Sequence, residues 1–119
     1  MKSSPLKDKS YQFAIQIVEL ARELQHNKEF VISRQVLRSG TAVGALIREA
    51  EFAQSKPDFI SKMSIALKEA NETDFWLNLL FDTSYITQIQ YDALINPCKE
   101  LIAMLVATVN TTKSRLNKT

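Results

Sequence analysis

The sequence predicts an all-α protein folded as an up-down-up-down four-helix bundle. Three observations carry that expectation. Apolar residues recur at helical spacing along four separate stretches. Only two glycines and three prolines punctuate 119 residues, too few for the many turns of a β fold. Short connections join the stretches, and helices joined in that way pack as antiparallel neighbours. At this length the chain, 1–119, reads as a single domain.

The first helix is expected from about Pro5 to His26. Ser4 serves as its N-cap, and Pro5 suits the first helical position, where a missing N–H costs nothing. Phe13, Ile17, Ala21 and Leu24, with Leu20 beside them, form its apolar stripe. Asn27 is expected to take the left-handed conformation that ends it.

The second helix is expected from near Ser33 to about Gln54, with Val36, Gly40, Val43 and Ile47 facing inward. Gly40 and Gly44 lie mid-helix, where they permit close helix packing. Ser55-Lys56-Pro57-Asp58 then breaks the chain, with Ser55 as N-cap and Asp58 in a capping-box-like position.

The third helix follows to about Thr83, with Phe59, Met63, Ala66, Leu67, Ala70, Leu77 and Phe81 along one face. Asp74 falls on that face too. A buried carboxylate needs a cation or several donors to stay ionised. Arg38 and Arg48 of the second helix are its candidate partners, and Asp74–Arg48 is the buried pair expected.

Thr87 and Gln90 form a capping box at the start of the fourth helix, and Ile86 staples onto Tyr91. Leu94, Cys98, Leu101, Leu105 and Val109 continue the stripe to about Arg115. Pro97 lies inside and is expected to kink this helix or divide it after Asn96.

The centre of the chain carries a second surface. On the third helix Ile65, Trp76 and Leu79 cluster away from the core with Glu72 among them, and Phe75 and Leu80 widen the apolar coverage. On the second, Arg38, Ala42, Ala45 and Glu49 share an outward stripe. Small residues flanked by opposite charges let another helix approach closely and fix its register. Two readings stand side by side. Arg38, Glu49, Glu72, Trp76 and Leu79 form a homo-oligomer interface, or Trp76 caps its own core and the charges are solvated.

Hydrophobic residues make up 45% of the chain and charged residues 24%, the composition of an ordinary globular protein. No apolar run approaches the roughly 18 residues of a membrane span. The N-terminal MKSSPLKDKS has positive charge but no apolar segment after it, so no secretory signal is expected. A lone cysteine, Cys98, fits a reducing, cytoplasmic setting. The Glu23-x-x-His26 pair brings di-iron bundles to mind, but that chemistry needs two such pairs and His26 is the only histidine. Cys98 falls on a core stripe, and no glycine-rich phosphate loop is present. No catalytic, metal or cofactor site is expected, and the chain does not read as an enzyme.

The net charge is only +2, but its distribution is uneven. An up-down-up-down bundle gathers Lys2, Lys7, Lys9, Lys56, Lys62, Lys113, Arg115 and Lys118 at one pole, against Asp8 and Asp58. The opposite pole is mixed, with Glu29, Arg34, Asp82 and Asp92. Lys7, Lys9, Lys113, Arg115 and Lys118 are candidate contacts to a phosphate backbone. Ordinary solubilising charge is the alternative. Aromatic side chains do not interleave with these cations, so structured RNA or DNA fits better than stacked single strands.

Residues 35–80, QVLRSGTAVGALIREAEFAQSKPDFISKMSIALKEANETDFWLNLL, also carry a likeness. With its segments RSGT, IREAE, DFI, IALKEA and ETDFWL, this stretch resembles the bacterial four-helix-bundle proteins related to the 23S rRNA intervening-sequence protein. The resemblance implies a ring-shaped homopentamer. More distantly, the chain is similar to the accessory protein of diversity-generating retroelements, which partners a reverse transcriptase and binds nucleic acid through a basic surface. Arg38, Glu49, Glu72 and Trp76 match the family's motif. Asp74 stands where glutamate is more frequent, Leu46 where asparagine is common, and Ala42 where serine is frequent. A function resting on those polar residues would be lost or modified here. Two functions follow. One is a non-enzymatic oligomer that binds structured RNA or DNA and recruits a reverse transcriptase or other protein. The alternative is a protein-interaction scaffold with no nucleic-acid role.

Overall fold

The computed structural model describes residues 4–117. They form α1 (Pro5–His26), α2 (Ile32–Ala50), α3 (Lys56–Asp82) and α4 (Gln88–Asn117). Each helix packs on the next, and α4 returns to α1. The helices alternate in direction. Ser10 lies against Gly44 and Ile17 against Gly40, so α1 and α2 run antiparallel. Asn78 meets Tyr91 at 2.6 Å and Ala70 meets Cys98 at 3.4 Å, which sets α3 against α4 in the same sense. The result is an up-down-up-down bundle about 52 × 23 × 23 Å.

The inward stripes form one core. Phe13, Ile17 and Leu24 of α1 meet Val36, Val43 and Ile47 of α2, Ala70 and Leu77 of α3, and Leu101 and Leu105 of α4. Burying a side chain of this kind contributes roughly 1.5–3 kcal/mol. The two glycines set the α1–α2 distance. A Cβ on Gly40 would lie 2.8 Å from Ile17 Cγ1 and Cγ2, and one on Gly44 would lie 3.3 Å from the Ser10 carbonyl oxygen. Both sit where α1 presses on α2, which is why a small-residue pair is needed there.

Capping follows the sequence closely. Ser4 Oγ accepts the Lys7 N–H at 3.1 Å, and Ser55 Oγ accepts the Asp58 N–H at 3.2 Å. Thr87 and Gln90 exchange hydrogen bonds at 2.8 and 3.2 Å. These contacts satisfy helix-terminal donors that lack partners within the helix.

Several expectations need correction. The left-handed residue after α1 is Lys28 (φ 67°), not Asn27 (φ −87°). Glu29 N–H reaches Leu24 O and Lys28 N–H reaches Gln25 O, a Schellman turn whose left-handed position falls one residue later. α2 stops at Ala50, four residues short of Gln54. The N–H groups of Glu51, Phe52 and Ala53 bond three residues back, tightening the turn, and Asp58 Oδ2 takes the Gln54 N–H at 3.1 Å. Of the two outcomes expected at Pro97, division does not occur: α4 is one continuous helix. Leu94, Ile95 and Cys98 are buried around the proline and hold the helix to the bundle. Ala93, whose carbonyl loses the Pro97 N–H, is exposed and meets water instead.

The Asp74–Arg48 pair does not form. The inward face of α3 passes through Thr73, which is fully buried, while Asp74 is half-buried and turned toward α4. Thr73 can enter the core because its hydroxyl donates to Glu69 O and can accept the Ser39 hydroxyl, with both partners 2.8 Å away. Arg48 is exposed on α2, with its guanidinium 5.6 Å above the centre of the Tyr11 ring. Phe59, Leu67 and Phe81, expected inside, are partly buried and flank the core.

Candidate nucleic-acid interface and oligomer surfaces

Three of the residues singled out for an interface meet on the outer seam of α2 and α3. Arg38 reaches across from α2 to Glu69 Oε2 at 3.0 Å and also to Glu72 Oε2. Trp76, one turn beyond Glu72, donates its indole N–H to the same Glu72 oxygen at 2.9 Å. Its ring packs partly on the core and stands edge-on to exposed Phe75, with centroids 5.1 Å apart. Trp76 therefore caps its own bundle and also presents a surface. Leu79 lies half-buried one turn further on, whereas Glu49 sits away from Arg38 near the far end of α2. Sequence reasoning missed Glu69, whose signal was its position one turn before Glu72 on the same face.

Asp74 belongs to a polar chain between α3 and α4. Its carboxylate accepts from Asn78 Nδ2 at 2.8 Å and lies 3.4 Å from Lys99 Nζ. Asn78 Oδ1 in turn accepts the Tyr91 hydroxyl at 2.6 Å. The Tyr91 ring stacks on Phe81 at 4.5 Å. Asp74 is thus satisfied in place, which makes it a structural acid.

At the basic pole the cations divide into two groups. Lys7 is 3.2 Å from Glu51, and Lys9 pairs with Glu100. Those contacts mask two of the expected phosphate ligands. Lys113 and Arg115 are exposed near the end of α4, and Lys56 is exposed at the start of α3. Among the described residues none of these three, nor Lys62, has a carboxylate partner. Lys118 and Lys2 lie outside the described residues.

Groups with catalytic potential are dispersed. Cys98 is fully buried, and its Sγ–H points to the Ala70 carbonyl. Burial, with the nearby Asp74 charge adding to it, raises its thiol pKa to about 12. Such a thiol holds its proton and is not a nucleophile at neutral pH. Glu23 accepts from Gln90 of α4 at 3.0 Å. Among the described residues no cluster of three or more His, Cys, Asp and Glu side chains could hold a metal, and no helix is long and apolar enough to cross a membrane.

The outer seam of α1 and α2 carries a feature the sequence reading passed over. Tyr11 and Phe52 wall an open apolar groove of about 440 Å³ over Ala14, Gly44 and Ala45. Its signal was a second helical stripe on α1, Tyr11, Ile15 and Val18, overshadowed by the stronger core stripe beside it.

The fold and its surfaces define a compact helical bundle with an aromatic-acidic seam, an apolar groove and one basic end. The chain belongs to the 23S rRNA-intervening sequence protein family, whose model matches residues 2–107. A crystal structure of a protein with unknown function from the S23 ribosomal protein family of Bacteroides thetaiotaomicron is also similar. It is 54% identical, with a TM-score of 0.85 over 87% of this chain and 97% of that one. A search of curated proteins found no match.

Proposed function

We propose that the chain is the repeating unit of a non-enzymatic homo-oligomer in the cytoplasm that grips the phosphate backbone of structured RNA or DNA. The observation that carries this reading is the set of unpaired cations, Lys56, Lys62, Lys113 and Arg115, at one end of the bundle. A carboxylate-free cation can release condensed counterions from a nucleic acid without first giving up a partner. Membership of the 23S rRNA-intervening sequence family is compatible with an RNA-related role. The homopentamer that the sequence resemblance implies would place several such ends side by side and multiply the field.

The test is fluorescence anisotropy with an RNA hairpin, duplex DNA and a single strand. The wild type is compared with a Lys113→Gln/Arg115→Gln variant whose mass is checked in parallel. Binding to the hairpin or duplex that weakens in the variant at unchanged mass supports the proposal. Equal binding by both proteins refutes the role of this pole.

A second reading, a protein scaffold that recruits a reverse transcriptase or another enzyme, draws on the opposite pole. Phe30 and Val31 in the α1–α2 connection, and Tyr85 and Ile89 around the start of α4, expose large apolar side chains there. Under this reading Val31→Asp/Ile89→Asp removes partner capture and the basic-pole variant leaves it intact.

A further inference from the structure

We infer that the end of α4, from Asn110 to Asn117, lies along the major groove of duplex DNA. This inference rests on the backbone-gripping reading above and names the form of nucleic acid that the basic pole takes.

The registers between helices leave this part of α4 standing clear. Lys9 pairs with Glu100, and Pro5 starts α1 about one turn before Lys9, so α1 begins level with about Met104. Ala70 meets Cys98, so the start of α3 at Lys56 comes level with about Thr112. Beyond Val109, the last buried residue of α4, all of Asn110–Asn117 is exposed except Thr112 and Leu116. Those two continue the inward line of Leu105 and Val109. On the outward side Asn110, Lys113, Ser114 and Asn117 repeat at three and four and form one stripe, with Thr111 and Arg115 beside it.

The chemistry of this stripe is that of a base-edge reader. An Asn amide pairs with adenine N6 and N7, a Lys donates to guanine O6 and N7, and a Ser serves either base. None of the stripe's side chains makes a hydrogen bond among the described residues. Asn, Ser and Thr are weak helix formers, yet they fill Asn110, Thr111, Thr112, Ser114 and Asn117. The core does not require them, since only Thr112 turns inward. Helix propensity is given up where no packing demands it, which marks a functional surface.

Charge here has one dominant sign. No Asp or Glu follows Glu100 in the sequence. Lys113 and Arg115, with Lys56 and Lys62 on the adjoining end of α3, have no carboxylate partner among the described residues. Lys7 is paired with Glu51 and Lys9 with Glu100, and Arg48 and Glu49 at the end of α2 cancel. The unpaired cations therefore outnumber the remaining acids, Asp8 and Asp58. Lys113 and Arg115 also offset the negative end of the α4 dipole, which would otherwise repel phosphate. Arg115 and Lys56, flanking the stripe, supply cations for the phosphates along the groove edges.

Size decides between the two kinds of duplex. A helix with its side chains is about 10–12 Å across, and the major groove of B-form DNA is about 12 Å wide. The A-form major groove of duplex RNA is deep and too narrow to be read in this way.

The test compares a DNA duplex and an RNA duplex of the same sequence and length by fluorescence anisotropy at one salt concentration. Tighter binding to DNA, by about tenfold, is expected. Equal binding, or a preference for RNA, overturns the groove assignment while the backbone reading stands. Binding to neither duplex overturns both. Dimethyl sulfate then reads the groove on the bound DNA, since it methylates guanine N7 in the major groove and adenine N3 in the minor groove. Protection of N7 with N3 left reactive supports the inference. Protection confined to N3, of both equally, or of neither overturns it. Asn110→Ala/Ser114→Ala provides a second arm, since both positions are exposed and the charge is unchanged. Weaker DNA binding with the same salt slope and helix content is expected, and wild-type affinity overturns the role of the stripe.

Discussion

Trp76 and Glu72 share one hydrogen bond, indole N–H to carboxylate at 2.9 Å, and the same carboxylate oxygen holds Arg38 of the neighbouring helix. One acid thus ties the largest aromatic of α3 to α2. Its removal leaves a partly buried indole donor without a partner, which costs about 1–3 kcal/mol. Glu72→Ala is expected to lower stability by about 1–2 kcal/mol in urea unfolding. Arg38→Ala is expected to cost less than about 1 kcal/mol, because Arg38 is 50% exposed and its ion pairs are screened. A larger loss for Arg38 than for Glu72 contradicts this ordering.

Gly40 faces Ile17 at van der Waals limits. Gly40→Ala gains about 1 kcal/mol of helix propensity, but its Cβ would sit 2.8 Å from two Ile17 carbons. Overpacking of that kind costs about 1–3 kcal/mol. The clash outweighs the propensity, because Ile17 is fully buried and has little room to move. The melting temperature of Gly40→Ala is expected to fall. Adding Ile17→Ala is expected to cost less than it does alone, the coupling of a shared contact.

Lys28 and Ser84 occupy matching turns after α1 and α3, each with φ 67°. The left-handed conformation costs a non-glycine residue roughly 1 kcal/mol or more. Lys28→Gly and Ser84→Gly are each expected to stabilise the protein by up to about 1 kcal/mol in thermal unfolding. A loss of stability in either would show that the side chain matters more than the turn.

Cys98 gives a pH signature. Its pKa is raised from 9.0 to about 12 in the fold by burial, then by Asp74, with Lys99 opposing. Below about pH 9 the thiol is protonated in both states and its contribution to stability is complete. As pH rises toward about 12 the unfolded chain releases the proton and the fold does not, so stability falls by up to roughly 1.4 kcal/mol per pH unit. Cys98→Ala is expected to flatten that alkaline slope. At pH 8 the native thiol is expected to resist a disulfide reagent until the protein is unfolded.

The bundle was legible because its signals are local. Phe13, Ile17, Val36, Val43, Leu101 and Leu105 lie on helical stripes, and Ser4, Ser55 and Thr87 cap where the sequence places them. Asp74 misled because one residue on a helix is a rotation of about 100°. Thr73 could replace it inside by returning its hydroxyl to the helix backbone and to Ser39. Lys99 and Glu100 lie on α4, far along the chain from Asp74 and Lys9, so no spacing announces their pairs. The groove was missed for a similar reason, since it belongs to neither helix alone.

Backbone gripping by the basic pole is read most directly from the salt dependence of duplex DNA binding, wild type against Lys113→Gln/Arg115→Gln. Each phosphate neutralised contributes about 0.9 to the slope of log K against log salt. Two charges removed from a single engaged subunit would lessen that slope by at most about 1.8. A steep slope that shrinks by more than this is expected, because several poles of one oligomer contact the same backbone. No binding at low salt, or a slope that the variant leaves unchanged, would contradict it.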